Sequence, residues 1–114
     1  MIEIKEISDV AVVGFVQKIT RQDISKLAGV DLAKMISDAT GKVKIVLNLE
    51  KIDYLDSAGL GELMLIFKDL QRKNGALALC CANEKIINLI NMITVNKVIK
   101  AYITEEEAIK SLST

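Results

Sequence analysis

The run Asp53-Tyr54-Leu55-Asp56-Ser57-Ala58-Gly59-Leu60-Gly61 sets a serine next to an aspartate and follows them with two glycines. A catalytic serine needs a base, and the chain contains no histidine, which removes every Ser-His and Cys-His pair. Ser57 also lacks the leading glycine of a nucleophile elbow. Residue 60 is leucine, so no S-x-x-K spacing starts at Ser57. A nucleotide cradle fits no better. Gly59-Leu60-Gly61 is not followed by lysine and serine or threonine, so it is no P-loop, and the two upstream aspartates would repel a phosphate. No catalytic residue, cofactor site or metal site is expected.

Two readings of the turn remain. Ser57 or Asp56 caps a helix, which is worth about 1 kcal/mol. Alternatively the turn is an interaction site, which the glycines favour. Each of Gly59 and Gly61 costs about 1 kcal/mol against alanine inside a helix. Small side chains there leave the backbone and Ser57 open to close approach by another surface. A phosphate on Ser57 would add about −1.5 to −2 charges where the helix macrodipole tolerates them. The fold would survive, while a partner on Ala58-Gly59-Leu60 would meet a dianion beside Asp56 and Asp53. Such a change suits a reversible switch.

The elements that must hold this turn are legible in the apolar pattern. Ile2 to Ile7 alternates with charge and reads as a half-exposed strand, pairing across Ser8-Asp9 with a second strand over Val10 to Val16. Ile24, Leu27, Ala28, Leu32, Met35 and Ile36 recur at helical spacing. Lys44 to Leu49 is apolar on both faces, as a covered central strand would be. Leu60, Leu63, Met64, Phe67 and Leu70 form the stripe of a second helix, with Lys68, Asp69, Arg72 and Lys73 on its wet side. Asn74-Gly75 stops it, and Ala76 to Cys81 is another buried strand. A third helix opens near Asn83, Val98 to Ile103 is a short last strand, and Thr104-Glu105-Glu106-Glu107 is a capping box opening a final helix. Alternation of this kind implies an α/β sheet with right-handed parallel crossovers. The Ser57 turn follows a strand at its carboxyl end, where such sheets place their sites.

Composition bounds the function. The 114 residues suit a single domain, 1–114, able to bury a core without disulfides or metal. Fifteen basic residues balance fifteen acidic ones, which recommends neither DNA nor an anionic membrane surface. No apolar run approaches the ~20 residues that span a bilayer, and the N-terminus lacks a secretory h-region, so a cytoplasmic protein is expected. Cys80 and Cys81 are the only cysteines. On a strand their side chains point to opposite faces, and the pair reads as two inert thiols, at least one of them buried.

In these residues the chain resembles the STAS-domain family, and within it the single-domain anti-sigma factor antagonists of bacteria. The match rests on Ile45-Val46-Leu47-Asn48-Leu49, the spacing to Asp56-Ser57-Ala58-Gly59-Leu60-Gly61, the amphipathic helix that follows, and Gly75 before an apolar strand. It covers Ile2 to Leu112. The resemblance implies a mixed sheet of about 4–5 strands, parallel after the N-terminal hairpin, with about 4 helices. It also implies a non-enzymatic, partner-switching regulator of transcription. Such proteins bind an anti-sigma factor that is also a serine kinase and so release a sigma factor. The kinase phosphorylates the serine matching Ser57, the complex separates, and a PP2C-type phosphatase restores the active form. Contacts would fall on Thr20, Asp23, Asp56, Ser57, Ala58, Gly59, Leu60 and Gly61. Two positions depart from the family pattern: Thr20 stands where an aspartate of the loop after the second strand is usual, with Asp23 nearby, and Asn48 where an aspartate is common. These departures motivate an alternative, a non-enzymatic STAS scaffold subunit of a signalling complex or transporter, in which Ser57 is only a cap.

Overall fold

Charge alternation at the N-terminus produces an exposed edge strand, β1 (Ile2–Ile7), and the apolar run after it a buried neighbour, β2 (Val10–Phe15). The computed structural model describes residues 2–18, 38, 41–55, 57–93 and 99–113. The helix expected over 24–36, and the candidate contact residues Thr20, Asp23 and Asp56, lie outside them. The remaining described elements are β3 (Lys44–Asn48), α1 (Ser57–Arg72), β4 (Ala76–Cys80), α2 (Glu84–Ile93), β5 (Lys100–Tyr102) and α3 (Glu105–Leu112). Strands run in the spatial order β1-β2-β3-β4-β5. The first pair is antiparallel across a two-residue turn, and the other three pairs are parallel. The mixed α/β sheet expected from the sequence is therefore present, with three helices among the described residues.

Register assigns the strands' side chains to two faces. One row crosses the sheet as Ile4, Val13, Leu47, Leu79, and the adjacent row as Lys5, Val12, Val46, Ala78. The first row joins Leu60, Leu63, Ile66 and Leu70 of α1 and Ile86 and Ile90 of α2 in the main core. The second lies under α3 through Ala108. β3 thus has helices on both sides, which is why Ile45, Val46 and Leu47 are all buried and its sequence shows no polar alternation. The inward stripe of α1 is shifted from the expected one: Ile66 is buried, whereas Met64 and Phe67 are only partly so and Leu65 is exposed.

Helix ends follow local chemistry. α1 closes with Asn74 in the left-handed region (φ 60), Gly75 N–H donating to Leu70 O at 2.7 Å and Asn74 N–H to Gln71 O at 3.2 Å. This is a Schellman motif in which asparagine, not glycine, supplies the positive φ. Gly75 is required for a different reason: a Cβ on it would lie 2.2 Å from Val43 O. Asn83 caps α2, its Oδ1 accepting from Ile86 N–H at 2.9 Å. Thr104 caps α3, accepting from Glu107 N–H at 3.2 Å and donating its hydroxyl to Glu107 Oε1 at 3.1 Å.

The cysteines depart from the expected geometry. Cys81 has already left the strand, with φ 63 and its N–H bound to Tyr102 O at 3.1 Å. The turn brings it to the α3 side, where both cysteines pack in one cluster, instead of to opposite faces. Burial, with a hydrogen bond to Cys81, pushes the Cys80 thiol well up. Among the described residues no helix is long and apolar enough to cross a membrane.

Candidate functional site

At the carboxyl end of β3 the chain turns sharply and stays anchored. Asn48 Oδ1 accepts from Glu50 N–H at 2.9 Å, an Asx turn that reverses the backbone. Leu49 N–H donates to Cys80 O at 2.9 Å and Ile52 N–H to Leu49 O at 3.0 Å. Leu49 and Ile52 are buried at 1% and 4% exposure, and Leu55 packs on the edge of the same core. Two apolar anchors three residues apart leave Glu50, Lys51 and Asp53 facing solvent. Ser57 then opens α1.

Polar contacts tie this turn to the turns after β2 and β4, which emerge at the same end of the sheet. Lys51 Nζ donates to Val16 O at 3.1 Å, and Lys18 Nζ lies 3.2 Å from Asp53 Oδ2. Asn83 Nδ2 reaches Ile52 O at 3.4 Å. Of the candidate contact residues, Leu60 is 6% exposed and its side chain is in the core. Gly59 is buried as well, whereas Gly61 faces solvent. A Cβ added at Gly61 would meet nothing within 4 Å. That glycine answers to no packing need among the described residues.

Sequence reasoning noticed Asn48 but missed its partner. Asn48 Nδ2 donates to Glu105 Oε2 at 2.7 Å, and Lys5 Nζ holds the other oxygen at 2.6 Å. The Lys5 ammonium keeps the Glu105 carboxyl below its ordinary range, against an opposing effect of burial, and the Asn48 amide adds a smaller lowering effect. The same bond to Glu105 raises Lys5. An aspartate at 48 would set two carboxylates against each other, so the amide matches a glutamate 57 residues away. No short-range signal announces such a pair. A cleft of about 240 Å³ opens beside this network, lined by Glu3, Gly14, Asn48 and Glu50 among others. It includes neither Ser57 nor Gly61.

This network should make stability depend on pH. Because the folded-state pKa of Glu105 is lowered, its contribution is present above the ordinary glutamate value of 4.5 and fades as pH falls through the lower folded value. Asn48→Asp is expected to cost about 1–2 kcal/mol at neutral pH. The deficit should shrink at pH 4, where one carboxyl protonates and can donate to the other. Urea unfolding at both pH values measures it; a deficit that is absent, or the same at both, would contradict the assignment.

The STAS domain model matches residues 2–108. The chain belongs to the STAS domain family. An anti-sigma F factor antagonist of Paenibacillus polymyxa is 32% identical over 68 residues, a match covering 60% of this chain and 58% of that protein. The NMR structure of the Thermotoga maritima protein TM1081 is 26% identical, with a TM-score of 0.78 over 98% of this chain and 88% of that one. The anti-sigma factor antagonist SpoIIAA of Bacillus, in its unphosphorylated form, shares the STAS fold at 15% identity, with a TM-score of 0.66 over 97% of this chain and 96% of that one. Its phosphorylated form matches at 0.67. The fold therefore compares equally well with both chemical states of that protein.

Proposed function

We propose that this STAS domain is an anti-sigma factor antagonist controlled by phosphorylation of Ser57. In its unmodified form it binds an anti-sigma factor that is also a serine kinase, so that a sigma factor is released. The kinase transfers phosphate from ATP to Ser57 and the complex separates; a PP2C-type phosphatase reverses the modification. The antagonist works in the cytoplasm and catalyses no step itself.

The observation that carries this reading is the arrangement around position 57. A turn anchored by Leu49 and Ile52 leads into a helix whose first residue is Ser57, at the carboxyl end of the sheet. Gly61, one turn further on, leaves the helix backbone open. A modifying enzyme needs the first feature and a docked partner needs the second. The relationship to an anti-sigma F factor antagonist supports the choice of partner.

The direct test incubates the purified protein with the anti-sigma factor kinase of its source organism and ATP, then maps the product. One phosphate on Ser57, and dissociation of the complex as it accumulates, is the expected result. A label on another residue, or no transfer by a kinase that binds the protein, would refute the switch.

A further inference from the structure

α1 turns an unusual stripe to solvent. Position 57 is followed at helical spacing by Gly61, Leu65, Lys68 and Arg72, and the last four are all exposed. Leu65 is 57% exposed, although Leu63 and Ile66 beside it are 5% and 1% exposed. Arg72 is engaged by Asp69 on its own helix. Lys68 forms no ion pair among the described residues.

Two of these residues, Gly61 and Leu65, are poor choices for a helix face that meets only water. Glycine at 61 costs about 1 kcal/mol against alanine, and no neighbour among the described residues requires it. Leucine at 65 leaves unburied a side chain worth about 1.5–3 kcal/mol when fully covered. A surface approaching from outside explains both, since it meets bare backbone at 61 and receives an apolar anchor one turn later.

Distance ties that stripe to the site at position 57. Residue 65 lies about 12 Å along the helix from residue 57, at 1.5 Å per residue. A protein interface takes about 800 Å² from each partner, a patch roughly 30 Å across. A partner centred on Ser57 therefore covers Leu65 and reaches Lys68 near its rim. We propose that the anti-sigma factor docks along the Gly61-Leu65-Lys68 stripe, taking Leu65 into an apolar pocket and setting an acidic side chain opposite Lys68. This inference rests on the antagonist reading and extends its contact surface two turns down α1.

Calorimetric titration of the source organism's purified anti-sigma factor, without ATP, tests it. Leu65→Asp should weaken binding at least about thirtyfold, as expected for loss of an interface anchor. Lys68→Glu should weaken it about fivefold and change its salt dependence, as expected at a charged rim. Both residues are exposed, so the unfolding midpoint should hold; if Leu65→Asp unfolds the chain, Lys68→Glu decides. Unchanged affinity in both variants, with binding lost in Ser57→Asp, would overturn the stripe and leave the switch standing. Binding lost in Leu65→Asp but kept in Ser57→Asp would uphold the stripe and refute the switch. Failure of the unaltered protein to bind would refute both.

Discussion

Gly75→Ala is expected to destabilise the protein by at least about 3 kcal/mol, at the upper end of overpacking effects. The added Cβ would lie 2.2 Å from Val43 O, 2.8 Å from Val43 Cβ and 3.0 Å from Val43 C. The nearest obstacle is backbone, which cannot swing aside as a side chain does. It is also held in place: Val43 O accepts from Ala76 N–H at 2.9 Å, where the pairing of β3 and β4 begins at Lys44 and Ala76. Gly75 N–H meanwhile closes α1 on Leu70. Relieving the clash must therefore separate the two central strands or open the end of α1. Asn74→Gly is the control, since it keeps the positive φ beside the same contact and should leave stability within about 0.5 kcal/mol. Urea denaturation of both variants decides it. A loss under about 1 kcal/mol for Gly75→Ala would mean that this junction can yield.

What the sequence reveals of this molecule depends on the range of the interaction involved. The Ser8-Asp9 turn, the buried strand over Ile45 to Leu47 and the caps at Asn83 and Thr104 are local, and a few adjacent residues determine each. The phase of α1 is less local. Leu63 to Phe67 is apolar throughout, so pattern alone cannot say which residue of the five faces water; contact with the sheet buries Ile66 and leaves Leu65 out. The cysteines share one side because the strand's alternation stops at Cys80, before the positive φ at Cys81, which no local pattern announces. Least legible is Glu105, which opens α3 and whose partners Lys5 and Asn48 come from the strands β1 and β3. The Ser57 turn was easy to find because its chemistry is compact. Leu65 carries no such signal, since its meaning depends on being the one exposed member of an apolar run.

Ser57→Asp should separate folding from binding. A carboxylate in the first turn of α1 meets the positive end of the helix dipole, which is worth about 0.3–1 kcal/mol in its favour. The unfolding midpoint should therefore stay level or rise slightly. Affinity for the anti-sigma factor should instead fall by about a hundredfold or more, because a buried charge without a partner typically costs 2–5 kcal/mol at an interface. Ser57→Ala should do the reverse, keeping the partner but no longer releasing it when kinase and ATP are supplied. Calorimetry on the three proteins, with thermal unfolding of each, reads both effects. A scaffold subunit would bind equally well in all three, since position 57 would then contribute only about 1 kcal/mol as a cap. The opposite responses expected of Asp and Ala cannot arise from a cap alone, because capping acts on the fold and would move the unfolding midpoint first.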